Sequence, residues 1–190
     1  MSVPSLAWKS DVLTGFETAP LGDATLVRRV GGPSDPDPRG VIVHVHGYND
    51  YFFHAHVAHE AAARGYAYYA VDCARVGRSW AQPQIPHYMR SVRDFWPDLE
   101  AAVTAVRSLH PKLPVSMHAH STGGLVAALW AAETSAPLDA LVLNSPYFAD
   151  ASPTRGSRTA WLVPLIASLA PTLRVHHSPS HYAQLSLIHI

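Results

Sequence analysis

The chain has 190 residues, 48% of them hydrophobic, and its 14 basic and 14 acidic side chains cancel. That length suits one domain with a sizeable core, and a balanced charge with no basic run argues against nucleic acid as a partner. A lone cysteine, Cys73, excludes an intramolecular disulfide and reads as a small buried residue rather than a nucleophile.

The amino-terminal stretch 1–9 has no apolar signal-peptide core, so a cytoplasmic location is expected. Residues 31–40, rich in glycine and proline, form the clearest break, and they are too few to be more than a hairpin or strand connection. The β-branched run from Gly40 ends in His46-Gly47-Tyr48, which predicts a buried strand feeding a tight loop. Phe53, Val57 and Ala61 then fall at helical spacing, stopped by Arg64-Gly65. A second strand, Tyr66 to Asp72, follows. Asp94 and Pro97 open another helix, with Asp94 as its cap and Phe95, Leu99, Val103 and Val106 as its apolar stripe.

Val115 to Val126 reads as a strand, a sharp turn and a helix, with Ser121 at the turn. In such a nucleophile elbow the serine hydroxyl stands clear of the sheet, and the residues two before and two after must be small. Here they are Ala119 and Gly123. Leu125, Val126, Leu129 and Trp130 line one face of the helix beyond, and Leu138 to Asn144 reads as a further strand. Strands alternating with helices imply a mostly parallel sheet covered on both faces.

These motifs carry a resemblance. His46-Gly47-Tyr48, the string Asp72-Cys73-Ala74-Arg75-Val76-Gly77-Arg78-Ser79, the elbow around Ser121 and Leu141-Val142-Leu143-Asn144-Ser145-Pro146 resemble those of an α/β-hydrolase of the serine aminopeptidase and monoacylglycerol-lipase type, often labelled lysophospholipase-like. The likeness runs from about Val12 to Asp150. Two departures stand out: the arginine of the second motif is displaced by one position, and alanine replaces the first elbow glycine. The resemblance implies Ser121 as nucleophile, with the Tyr48 and Thr122 backbone N–H groups as the oxyanion hole. It also places the strand at Leu138–Asn144 sixth in the fold. Arg75 and Asp98 are assigned no catalytic role.

From Ala151 the character changes. Residues 159–170 are apolar but fall short of the roughly 20 residues of a membrane span. In the resembled family a cap is inserted here and shapes an acyl pocket; a core helix is the alternative. The expected organisation is an α/β-hydrolase core over 1–150, the start of a cap over 151–184, and a non-native end over 185–190. That end, Leu185-Ser186-Leu187-Ile188-His189-Ile190, is what CTG TCT CTT ATA CAC ATC would encode, a string resembling a transposase-type sequencing adapter read as coding sequence. An ordinary apolar tail is the other reading.

A serine hydroxyl needs a histidine to take its proton and a carboxylate to orient that histidine. After Ser121 the carboxylates are Glu133, Asp139 and Asp150. Glu133 falls on a helix and Asp139 at a strand start, neither well placed. In the resembled family acid and base follow the seventh and eighth strands, so the sequence reads as truncated after the sixth and inactive by itself. A compact triad of Ser121, Asp150 and one of His176, His177 or His181 is the remaining route.

The thirteen histidines include the short spacings His44-x-His46, His54-x-His56, His56-x-x-His59 and His118-x-His120. No acidic or cysteine ligand interleaves with them, so neither a metal nor another cofactor is expected. The favoured reading is a serine ester hydrolase that takes a small-molecule, lipid-like or other acyl ester through an acyl-enzyme. A noncatalytic α/β-hydrolase-like binding module and a metal-dependent hydrolase are the alternatives.

Overall fold

The computed structural model describes residues 6–32, 35–148, 168–170 and 172. Two compact units divide the chain, 1–149 and 150–190. The expected cap (151–184), Asp150, His176, His177, His181 and the 185–190 end lie outside the described residues, apart from 168–170 and 172.

In the first unit a sheet of seven strands has the order β1-β2-β3-β5-β4-β6-β7. Its strands are β1 (Lys9–Ser10), β2 (Phe16–Leu21), β3 (Ala24–Arg29), β4 (Gly40–Val45), β5 (Tyr66–Asp72), β6 (Val115–His120) and β7 (Ala140–Asn144). β4 pairs in parallel with both β5 and β6, and β6 with β7, so the runs at Gly40, Tyr66 and Val115 share one parallel sheet. The fold is that of an α/β-hydrolase. Because the two-residue β1 comes first, β7 corresponds to the strand expected as sixth.

The antiparallel half, β1 to β3, has no residues assigned in the sequence expectations, although a sixth place for the last strand implies two strands before the one at Gly40. A signal for it was present: Leu21 pairs with Ala24, so Gly22-Asp23 is a two-residue hairpin turn, with Gly22 at φ +65.

Three helices cover the sheet: α1 (Ala55–Ala63), α2 (Trp96–Leu109) and α3 (Thr122–Glu133). Val41, Val43, Val45, Val71, Met117 and Ala119 pack with Leu99, Val103, Val106, Val126 and Trp130 of α2 and α3. The opposite face carries Ile42, Tyr68 and Ala70 against Phe52, Ala58 and Ala61. Alternation along each strand thus supplies two separate cores.

Three local expectations shift. Phe53 precedes α1, whose buried side is Ala58 and Ala62. Asp94 does not cap α2; with Ser91 it forms a capping box on a short 3-10 turn, Val92–Phe95, and α2 begins at Trp96 with Pro97 in its first turn. α3 buries Gly123, Gly124, Val126, Ala127 and Trp130, while Leu125 and Leu129 are half-buried, because the glycines bring the helix down on its small-residue side.

Candidate active site

The turn at Ser121 is built by three neighbours. β6 ends at His120 and α3 starts at Thr122, which leaves Ser121 alone between them at φ 52, ψ −121. That conformation favours glycine, and a side chain persists there only where the surroundings over-determine it. The Ser121 N–H donates to the Asn144 carbonyl at 3.1 Å, and its carbonyl accepts from the Tyr147 N–H at 2.9 Å and the Gly124 N–H at 2.9 Å. Ala119, at the first small position, is fully buried. A Cβ on Gly124 would meet Pro146 Cβ at 2.8 Å, and one on Gly123 would overlap the His46 carbonyl oxygen. Glycine is therefore required on the helix side of the turn, whereas alanine fits on the strand side.

The loop after β4 lies directly beside it. A Cβ on Gly47 would come within 3.1 Å of Ser121 Cβ, so glycine lets this backbone approach the serine. Buried His46 holds the loop through its ring: Nδ1 donates to the Gly47 carbonyl at 2.8 Å, and Nε2 accepts from the Cys73 N–H at 3.3 Å. The carbonyl can only accept, so the proton sits on Nδ1.

Tyr48 and Thr122 border one small cavity of about 10 Å³, enough for roughly one water. His46, Gly47, Cys73 and His87 also line it. Among the described residues the Tyr48 and Thr122 amides and the Ser121 hydroxyl have no hydrogen-bond partner. The structure thus brings together Ser121, Tyr48 and Thr122, all within two adjoining turns at the carboxyl ends of β4 and β6.

The second motif is structural. Asp72 is fully buried and accepts from the Phe52 N–H at 2.9 Å and from Arg78 through both N–H at 3.1 Å and Nη1 at 2.8 Å. Ser79 Oγ donates to the Asp72 carbonyl at 2.7 Å. Arg75 takes φ 66 and donates through Nε to the Tyr88 carbonyl at 2.7 Å. Asp98 accepts from the Ala74 N–H at 2.8 Å, and burial raises its carboxyl above the usual range. Burial likewise pushes the Cys73 thiol well up, with Asp98 and Asp72 adding to it, which disfavours the reactive thiolate.

Of the carboxylates weighed as triad acid, Glu133 is held by Arg93, with Nη2 at 2.7 Å. Asp139 accepts from Arg107 Nη2 at 2.7 Å and from the Val115 N–H at 2.8 Å. Both are engaged away from the elbow, as their positions in the sequence suggest.

The histidine spacings place His44 and His118 side by side in register on neighbouring strands, with their Nδ1 atoms 3.3 Å apart. Among the described residues no three His, Cys, Asp or Glu side chains are grouped to hold a metal ion. No helix among them is long and apolar enough to cross a membrane.

Comparison with known proteins gives a consistent result. The family model described as serine aminopeptidase, S33, matches residues 36–186. A monoacylglycerol lipase of Mycolicibacterium smegmatis is 34% identical over 130 residues, covering 67% of this chain and 45% of that protein. Among solved structures, a soluble variant of the monoglyceride lipase of Saccharomyces cerevisiae superimposes with a TM-score of 0.63 at 17% identity, covering 94% of this chain and 56% of that one. The monoacylglycerol lipase of Paleococcus ferrophilus gives 0.55 at 21% identity, covering 73% and 51%. The chain spans about half the length of these relatives.

Proposed function

From the premise that the chain belongs to the serine aminopeptidase S33 family, we propose that it carries the nucleophile and oxyanion hole of a serine ester hydrolase acting on monoacylglycerol-like or other small acyl esters. Ser121 Oγ attacks the ester carbonyl carbon, its proton passes to a general base, and the carbonyl oxygen becomes an oxyanion. Two amides without other partners among the described residues, those of Tyr48 and Thr122, receive that charge. The carbon–oxygen bond to the alcohol then breaks, the base returns its proton to the leaving alcohol, and water hydrolyses the acyl-serine by the same steps.

The observation that carries this reading is the backbone of Ser121 at φ 52, ψ −121, with no hydrogen-bond partner among the described residues for its hydroxyl or for the Tyr48 and Thr122 amides. The helix begins one residue after the serine, which aims the Thr122 N–H out of its first turn. The acid and base are proposed to come from sequence beyond β7.

A noncatalytic binding module is the second reading, favoured by the engagement of Glu133 and Asp139 with Arg93 and Arg107. Reaction of the full-length protein with a fluorophosphonate, followed by peptide mass analysis, separates the two. Modification at Ser121 that disappears in Ser121→Ala supports the hydrolase; no modification at Ser121, with saturable binding of a monoacylglycerol, supports the module. Turnover of a short-chain nitrophenyl ester by the 190-residue chain is expected near background. Robust turnover lost in Asp150→Ala or His181→Ala would point to the compact triad.

A further inference from the structure

We propose that Arg78, acting with buried Asp72, is a positioning residue for the Tyr48 amide; the inference rests on the roles proposed for Ser121 and Tyr48. The loop that carries this amide is fastened at two places. At its start His46 bonds the Gly47 carbonyl and the Cys73 N–H. At Phe52 both polar atoms of the main chain are held: the N–H donates to Asp72 Oδ1 at 2.9 Å, and the carbonyl accepts from Arg78 Nη1 at 2.8 Å. The Phe52 ring is fully buried, so this end cannot drift.

Arg78 connects three elements at once. Its Nη1 also donates to Asp72 Oδ2 at 2.8 Å, while Nε and Nη2 reach the two carboxylate oxygens of Asp11 at 2.9 and 2.7 Å. A planar guanidinium can serve partners in these fixed directions, and an ammonium cannot. Gly77 makes the fit possible: at φ +47, a Cβ there would meet Tyr51 Cβ at 2.5 Å and Asp72 Oδ2 at 2.6 Å. The loop after β4 and the loop after β5 therefore interlock without slack, behind the site rather than in it.

Tyr48 lies between the two fastenings, and its N–H has no partner of its own among the described residues. The direction of that donor is set by the ends of its loop. An oxyanion donor is effective only where it already points at the developing charge, so releasing the Phe52 end would weaken the reaction without removing any group that touches substrate.

The test uses Arg78→Met, Arg78→Lys and Asp11→Asn in the full-length protein, with two readouts. In amide hydrogen exchange, Arg78→Met is expected to speed exchange across 47–53 by about tenfold while peptides of α2 exchange as in the parent. In fluorophosphonate labelling of Ser121, the rate at saturating probe is expected to fall about tenfold, with the half-saturating concentration within about twofold of the parent. Arg78→Lys should recover part of both, and Asp11→Asn should show the smallest change. Unchanged exchange over 47–53 in a folded Arg78 variant overturns the proposal whether or not Ser121 reacts. Faster exchange with an unchanged labelling rate overturns it too, because Arg78 would then be an anchor without influence on the reaction. A full-length parent that is never labelled at Ser121 sinks the hydrolase reading instead, and the exchange data still decide whether Arg78 holds the Tyr48 segment. If Arg78→Met does not fold, Arg78→Lys and Asp11→Asn supply both readouts.

Discussion

Gly123 lies so close to the carbonyl of His46 that a Cβ on it would overlap the oxygen. The first turn of α3 and the loop after β4 thus touch backbone to backbone, which brings Thr122 and Tyr48 to the same small cavity. Backbone cannot yield as a flexible side chain does. Gly123→Ala is expected to lower stability by about 1–3 kcal/mol, the usual cost of overpacking, read as a lower denaturant midpoint at unchanged slope. A variant as stable as its parent would show that the loop can retreat.

Ser121→Gly should act in the opposite direction. Serine at φ 52, ψ −121 stores strain that glycine does not feel. Subtracting the greater freedom of glycine in the unfolded chain leaves an expected gain of about 1 kcal/mol in stability, with labelling by fluorophosphonate abolished. Equal or lower stability would mean that the serine side chain relieves its own strain.

Stability should fall in mild acid. His44 is 5% exposed, its Nε2 has no partner among the described residues, and His118 faces its Nδ1. Burial first, then His118, His54, His46 and His120, holds its imidazole well below the ordinary 6.5. Burial also lowers His118 and His54, the latter against a smaller opposing effect from Asp50. A lowered folded-state value means that below about pH 6.5 the unfolded chain binds protons that the folded chain refuses. This contribution is complete above that pH and is lost as the pH drops toward the folded values. Denaturant midpoints measured between pH 7.5 and 5 should decline, and His44→Leu should flatten the decline. An unchanged pH slope in that variant would remove His44 as the cause.

Apolar side chains stand exposed on and after β7: Val142 at 53%, Leu143 at 37%, Tyr147 at 44% and Phe148 at 58%. Surfaces of this kind bind apolar dyes and partner chains. The chain is expected to enhance the fluorescence of such a dye under native conditions. Val142→Lys combined with Phe148→Ser should reduce the enhancement while changing stability by no more than about 0.5 kcal/mol, as exposed substitutions usually do. Dye binding that ignores this pair would place the accessible apolar surface elsewhere.

Much of the parallel half was legible because each element reports on itself. Val41, Val43 and Val45, or Leu99, Val103 and Val106, announce a buried strand or a helix stripe by their period alone, and all six are buried. The antiparallel β2–β3 hairpin escaped although Gly22-Asp23 marked its turn, since polar Thr18, Thr25, Arg28 and Arg29 blur the alternation. Leu125 and Leu129 misled for another reason. Helix spacing shows that a stripe exists, but Gly123 and Gly124 decided which side of α3 meets the sheet, by letting it come close.

The sequence by itself determined the α/β alternation, the turn at Ser121 and the family, because these depend on local pattern and short motifs. Only the tertiary structure decided what surrounds the serine. Arg78 and Asp11 are 67 positions apart in the chain, yet share two hydrogen bonds. His46 and Gly123 meet through main-chain atoms that no side-chain pattern encodes. Contacts of this kind arise when a sheet brings distant loops to one edge, and their geometry depends on packing across the whole domain rather than on the preferences of any one segment.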